Sequence, residues 1–172
     1  MTKAAPRPWP SADGHRLVFA AEFDAGTLPE TRHQVSRAAG QCGMPHAQID
    51  DFAIAVNEIM TNAVRHGGGC GKLRLWCDGQ LLCEIADAGH GFPATAYLQR
   101  TSPPVPSPLG GMGLWLAQQV TAELAIRSGT AGSTVRLRAP LSRGPDGRHG
   151  APALHRHVPD RQRPSGDNAR RD

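Results

Sequence analysis

Aromatic residues are only 5% of this 172-residue chain, and no run of about 18 apolar residues occurs in it. The scarcity of aromatics predicts a core of Leu, Val, Ile and Ala within a hydrophobic share of 39%. The missing long run excludes a membrane-spanning helix. The N-terminal MTKAAPRPWPSADG also lacks the apolar stretch of a secretory signal, so the expected location is cytoplasmic, with no membrane partner. The four cysteines (Cys42, Cys70, Cys77 and Cys83) form no CxxC pair and stand at no zinc-like spacing to histidine. Free thiols are expected. Positive charge is scarce in the body as well. Of the net +4, the stretch Arg143–Asp172 holds +3, from seven arginines against four aspartates. A near-neutral body does not favour nucleic acid as a partner. Three histidines in that stretch (His149, His155 and His157) are either ordinary tail residues or a loose metal-binding tract.

The length suits one domain of ordinary size with some tail. Residues 1–14 are rich in Pro and Ala and read as a flexible N-terminus. His15–Phe23 reads as a strand. Thr27-Leu28-Pro29-Glu30 reads as a capping box, with Leu28, Val35, Ala38, Ala39 and Cys42 at helical spacing behind it. Pro45 opens a stronger helix with Ile49, Phe52, Val56, Met60, Ala63 and Val64 on its apolar stripe, ended by Gly67-Gly68-Gly69. Lys72–Cys77 and Gln80–Ala86 are strands joined at Asp78-Gly79, a hairpin signal. Residues 93–109 hold five prolines and little periodicity. A loop so placed, between two glycine motifs, reads as a mobile lid. Leu114–Val120 is predicted helical, and Glu123–Arg127 and Ser133–Arg138 are predicted as strands. Residues 141–172 have almost no large apolar side chains and read as a disordered basic tail. The domain is then 15–140. Its hairpins predict an α/β two-layer sandwich, with a mixed, mostly antiparallel sheet and helices on one face.

Three short stretches carry the chemistry. Glu58 and Asn62, four residues apart, share one helix face roughly opposite the Val56/Met60 stripe. They are either a solvated polar face or a ligand-facing pair, in which the carboxylate handles a proton and the amide oxygen meets Mg²⁺. Asp87 ends the strand LLCEIAD and is followed by Gly89 and Gly91. That pattern makes a turn, or a carboxylate that accepts the adenine amino group while the backbone packs on the base. Gly110, Gly111 and Gly113 precede a helix and can offer bare N–H groups and the helix dipole to phosphate. No Lys-Ser/Thr follows them, so a P-loop is excluded.

Together these stretches resemble the GHKL superfamily of ATPases and kinases. Glu58-Ile-Met-Thr-Asn62 with Ala-Val-Arg-His-Gly67 is similar to its N box, Asp87-Ala-Gly89-His-Gly91 to its G1 box, Gly110-Gly-Met-Gly113 to its G2 box, and Gly132-Ser-Thr134 to its closing strand. Within it the chain looks most like the anti-sigma-factor serine/threonine kinases of the SpoIIAB and RsbW type. The resemblance implies ATP and Mg²⁺ as cofactors, with Glu58 the catalytic base and Asn62 the Mg²⁺ ligand. Asp87 would read adenine, Gly89 and Gly91 shape its pocket, and Thr134 support it through water. Gly110, Gly111, Met112 and Gly113 would hold phosphate. It also implies phosphorylation of a serine on an antagonist protein, sequestration of a sigma factor, a homodimer, and Arg32 at the partner interface. The lid departs from the family in carrying only Arg100, well before the glycines. Phosphoryl transfer leans on cations near the transferred group, so the alternative is a nucleotide-dependent protein-binding module with little turnover.

Overall fold

The computed structural model describes residues 9, 11–98, 102–104 and 112–141. Nine of the seventeen residues read as a mobile lid (93–98 and 102–104) are described, whereas the tail beyond Leu141, Arg100, Gly110 and Gly111 lie outside the described residues. In chain order the elements are β1 (Arg16–Asp24), α1 (Leu28–Gln41), α2 (His46–His66), β2 (Cys70–Cys77), β3 (Gln80–Asp87), α3 (Ala94–Leu98), α4 (Met112–Val120), β4 (Glu123–Gly129) and β5 (Gly132–Pro140). The expected elements are present: β1 is shifted by one residue, and β2, β3, α4, β4 and β5 are each extended by one to three residues. The short helix α3 is the addition: Pro93 sits where proline suits the start of a helix, inside a stretch whose prolines hid it.

The strands form one sheet in the order β1-β2-β3-β5-β4, and every neighbouring pair is antiparallel. Two turns enforce this. Gly79 adopts φ +65° in the β2–β3 hairpin, and Gly132 adopts φ +127° where β4 returns into β5. In Gly132's place a side chain would collide with the carbonyl of Asp87. β5 thus pairs with β3 and leaves β4 at the edge.

One face of the sheet is apolar and carries α1, α2 and α4. Leu73 and Leu75 of β2, Leu81, Cys83 and Ile85 of β3, and Val135, Leu137 and Ala139 of β5 are all buried. Period-2 alternation puts them on that face. From α2, Phe52, Val56, Ile59 and Met60 complete the core, each buried side chain contributing about 1.5–3 kcal/mol. Burial lowers the readiness of two thiols to ionise. Cys42, against Cys77, is pushed up to about 12, and Cys83 is raised by burial first. No disulfide joins the four cysteines.

The other face is charged. Arg74, Glu84 and Arg136 stand in one cross-strand row, and the Arg136 guanidinium grips Glu84 through Nε at 2.7 Å and a terminal nitrogen at 2.6 Å. Trp9 lies here too: Arg127 stacks 4.0 Å and Arg136 4.9 Å from its ring centre. The segment expected to be loose thus places an aromatic ring across β4 and β5.

The predicted capping box does not form. Thr27 gives α1 no side-chain cap. Its hydroxyl instead accepts the Asp24 N–H at 2.9 Å, and the Asp24 carboxylate accepts the N–H groups of Gly26 and Thr27 at 2.9 and 3.0 Å. The Thr27 hydroxyl and these N–H groups hold the Asp24 carboxyl below its ordinary value. A charged acceptor three residues upstream outcompetes Glu30, which takes the Gln34 amide at 2.6 Å. Among the described residues, no helix is long and apolar enough to cross a membrane.

Candidate nucleotide site

The apolar face ends in a polar row. Asp87 of β3, Ser133 of β5 and Ser128 of β4 are register partners across three strands. Above this row the C-terminal half of α2 and the first turn of α4 leave a cavity of about 290 Å³, near the lower bound of roughly 300 Å³ for small-molecule sites. Asn62, His66 and Gly67 form its α2 wall, Gly91 and Phe92 one end, Leu114 its roof, and Asp87, Ser133 and Val135 its floor.

Close backbone approach builds this cavity. A β-carbon on Gly89 would lie 2.6 Å from both the Gly67 Cα and the His66 carbonyl. On Gly67 it would lie 2.5 Å from the Asp87 side chain. The glycines ending α2 and following β3 therefore let helix and strand end meet. Gly91, at φ +73°, would strike the Gly129 carbonyl with any side chain.

The Asp87 carboxylate is held on one side. Its Oδ1 accepts the Gly89 N–H at 2.9 Å and the Ser133 N–H at 3.2 Å. Among the described residues no hydrogen bond to Oδ2 is formed, so that oxygen can accept from an amino group in the cavity.

Glu58 and Asn62 are both half-buried on α2, covered by α4 on the side away from the core. Asn62 lines the cavity; Glu58 does not, and stands one turn toward the helix start with its Cβ beneath Gly113. Gly113 is buried and Met112 is 39% exposed. Gly110 and Gly111 lie outside the described residues. Arg32 is exposed on α1, which contributes nothing to the cavity lining.

Thr134 is a correction. Its neighbours Ser133 and Val135 face the cavity, and period 2 turns Thr134 to the charged face beside Arg127. Ser133 takes the place assigned to it, donating its N–H to Asp87. Sequence reasoning passed over Ser128, Ser133 and Phe92. Alternation along Ser133, Val135, Leu137 and Ala139 was the signal that singles out Ser133.

Among the described residues no group of three His, Cys, Asp or Glu side chains is placed to hold a metal, and no Lys or Arg lines the cavity. A single amide oxygen at Asn62 fits Mg²⁺, which takes one or two protein oxygens and fills its octahedron with water and phosphate.

Comparison with known proteins bears on the family and the fold. Residues 21–139 match the family described as histidine kinase-like ATPase domain. Serine-protein kinase RsbW from Bacillus subtilis (strain 168) and its namesake from Bacillus velezensis are each 30% identical over 118 residues, covering 62% of this chain and 73% of theirs. A crystal structure of the RsbU and RsbW domains of a Mycobacterium tuberculosis protein superposes with a TM-score of 0.50 at 23% identity. It covers 73% of this chain and 33% of that longer one, and bears on the fold alone.

Proposed function

The chain belongs to the histidine kinase-like ATPase domain family, and we propose that it is an ATP-dependent regulatory serine kinase of the anti-sigma-factor type. The observation that carries this reading is the doubly anchored Asp87 on the floor of a cavity bounded by Asn62. Similarity to two serine-protein kinases supports kinase or ATPase chemistry at the level of the family.

On this reading the adenine amino group donates to Asp87 Oδ2, and the base packs between Val135 and the Gly91–Phe92 backbone. Asn62 would hold Mg²⁺, which neutralises phosphate charge when bound. Glu58 takes the proton from a serine hydroxyl on an antagonist protein as that oxygen attacks the γ-phosphorus. The bond from the γ-phosphorus to the β,γ-bridging oxygen breaks, and ADP departs. Gly113 keeps the α4 backbone low over Glu58 and brings the helix N-terminus toward the phosphates. The same body would hold a sigma factor in the alternative complex, as a homodimer, with exposed Arg32 at the contact.

The absence of any Lys or Arg among the described cavity-lining residues favours a second reading, a nucleotide-dependent protein-binding module with little turnover. Labelled ATP, the full chain and candidate antagonists separate the two. Phosphoserine on an antagonist supports the kinase. ATP binding without phosphoserine on any partner replaces it by the binding module.

A further inference from the structure

We infer that Ser128 is a positioning residue for this site: its hydroxyl sets both the carboxylate that reads the base and the start of the loop after β3. The inference rests on Asp87 receiving adenine. Ser128 lies on the edge strand β4, outside every motif that marks the site. It does not line the cavity and belongs to no buried core cluster.

Its bonds connect the two parts of the site that meet the base. The Ser128 Oγ accepts the Phe92 N–H at 2.8 Å, across 36 residues of chain. The same oxygen lies 2.9 Å from the Ser133 hydroxyl, which is only 4% exposed. Ser133 in turn donates its N–H to Asp87. Before Phe92, Gly91 presses its backbone onto Gly129, and a β-carbon there would stand 2.9 Å from the Ser128 hydroxyl. No other hydroxyl among the described residues joins the G1-type loop to the floor.

A hydroxyl is needed here rather than a methyl. Ser128 accepts from an N–H and still shares a proton with Ser133, which alanine cannot do. Removing it leaves the buried Ser133 hydroxyl without this partner and takes one acceptor from Phe92, a loss that typically changes an equilibrium about tenfold. The effect falls on the base end of the site. Glu58 and Asn62 sit on α2, and neither bonds to this network, so the rate of transfer at saturating ATP is unaffected.

The test uses the full chain and two probes, ADP and purine riboside 5′-diphosphate, which lacks the 6-amino group. Wild type is expected to prefer ADP. Ser128→Ala should weaken ADP about tenfold while leaving the purine riboside diphosphate nearly unchanged, so that the preference collapses. Ser128→Thr, which restores a hydroxyl, should recover it, and Asp87→Asn should remove it outright. Equal weakening of both probes, or unchanged ADP binding in Ser128→Ala, overturns the inference. Should Ser128→Ala fail to fold, Ser128→Cys, nearly isosteric with a weak sulfur partner, is read by the same criterion. If Asp87→Asn leaves ADP binding intact, the adenine reading itself is wrong and the role of Ser128 falls with it. Intact sensitivity to Asp87→Asn with none to Ser128→Ala defeats the positioning role alone.

Discussion

A β-carbon built on Gly113 lies 2.5 Å from the Cβ of Glu58 and 3.1 Å from its Oε2, so the first turn of α4 rests on the turn of α2 that carries the carboxylate. Gly113→Ala must therefore lift α4 or displace Glu58. Overpacking of this kind costs about 1–3 kcal/mol. Single-turnover phosphorylation of an antagonist should fall at least about tenfold for a shift of that size. ADP affinity, set mainly by Asp87, should fall less. Wild-type transfer rates in the variant would separate Glu58 from the chemistry.

On the proposed function, Glu58 and Asn62 would divide the work along one helix face. Glu58→Ala is expected to keep ATP binding and lose transfer by about a hundredfold or more, the range of a general base. Asn62→Ala should lose the Mg²⁺-dependent part of ATP affinity. Isothermal titration with and without Mg²⁺, beside phosphoserine detection, reads both. Persistent transfer in Glu58→Ala would move the base elsewhere.

Thr134 and Ser133 are adjacent in sequence and opposite in the fold. Thr134→Ala, a change on the charged face, should leave ATP affinity within about twofold, as substitutions away from special contacts do. Ser133→Ala keeps the N–H that reaches Asp87 but breaks the link to Ser128, and should weaken ADP. A large loss in Thr134→Ala alone would reinstate it as a site residue.

On the charged face, the side chains of Glu84 and Arg136 are 13% and 16% exposed. Glu84 pairs with both Arg136 and Arg74, so replacing it breaks two ion pairs at once, one of them largely enclosed. Glu84→Ala should cost about 3 kcal/mol of unfolding free energy in a urea titration. Trp9→Ala, removing the ring between Arg127 and Arg136, should cost about 1 kcal/mol. No change in Trp9→Ala would mean that the stacking contributes nothing in solution.

The thiols offer a pH readout. Because the Cys42 thiol is pushed up to about 12, first by burial and then by Cys77, its thiolate should stay scarce at pH 9. Cys70 is exposed and open to the reagent. Iodoacetamide labelling followed by peptide mapping between pH 7 and 10 (roughly the span in which a free thiol titrates) should show Cys70 modified first. Cys42 and buried Cys83 should remain unlabelled. Early alkylation of Cys42 would contradict its burial.

Local signals in the sequence determined most of the elements and the order of the motifs. The stripe from Ile49 to Val64 names α2, Asp78-Gly79 closes a hairpin, and Asp87 with its glycines marks the strand end that lines the cavity. Each rests on backbone preferences that act within a few residues, so the string of letters holds them. Tertiary structure decided what depends on distant pairing. The β3–β5 register, bridging residues 46 or more apart, turned Ser133 inward and Thr134 out, because a strand's side chains alternate and a shift of one residue exchanges its faces. The same long-range packing seated Gly113 on Glu58 and drew the Ser128 hydroxyl to Phe92.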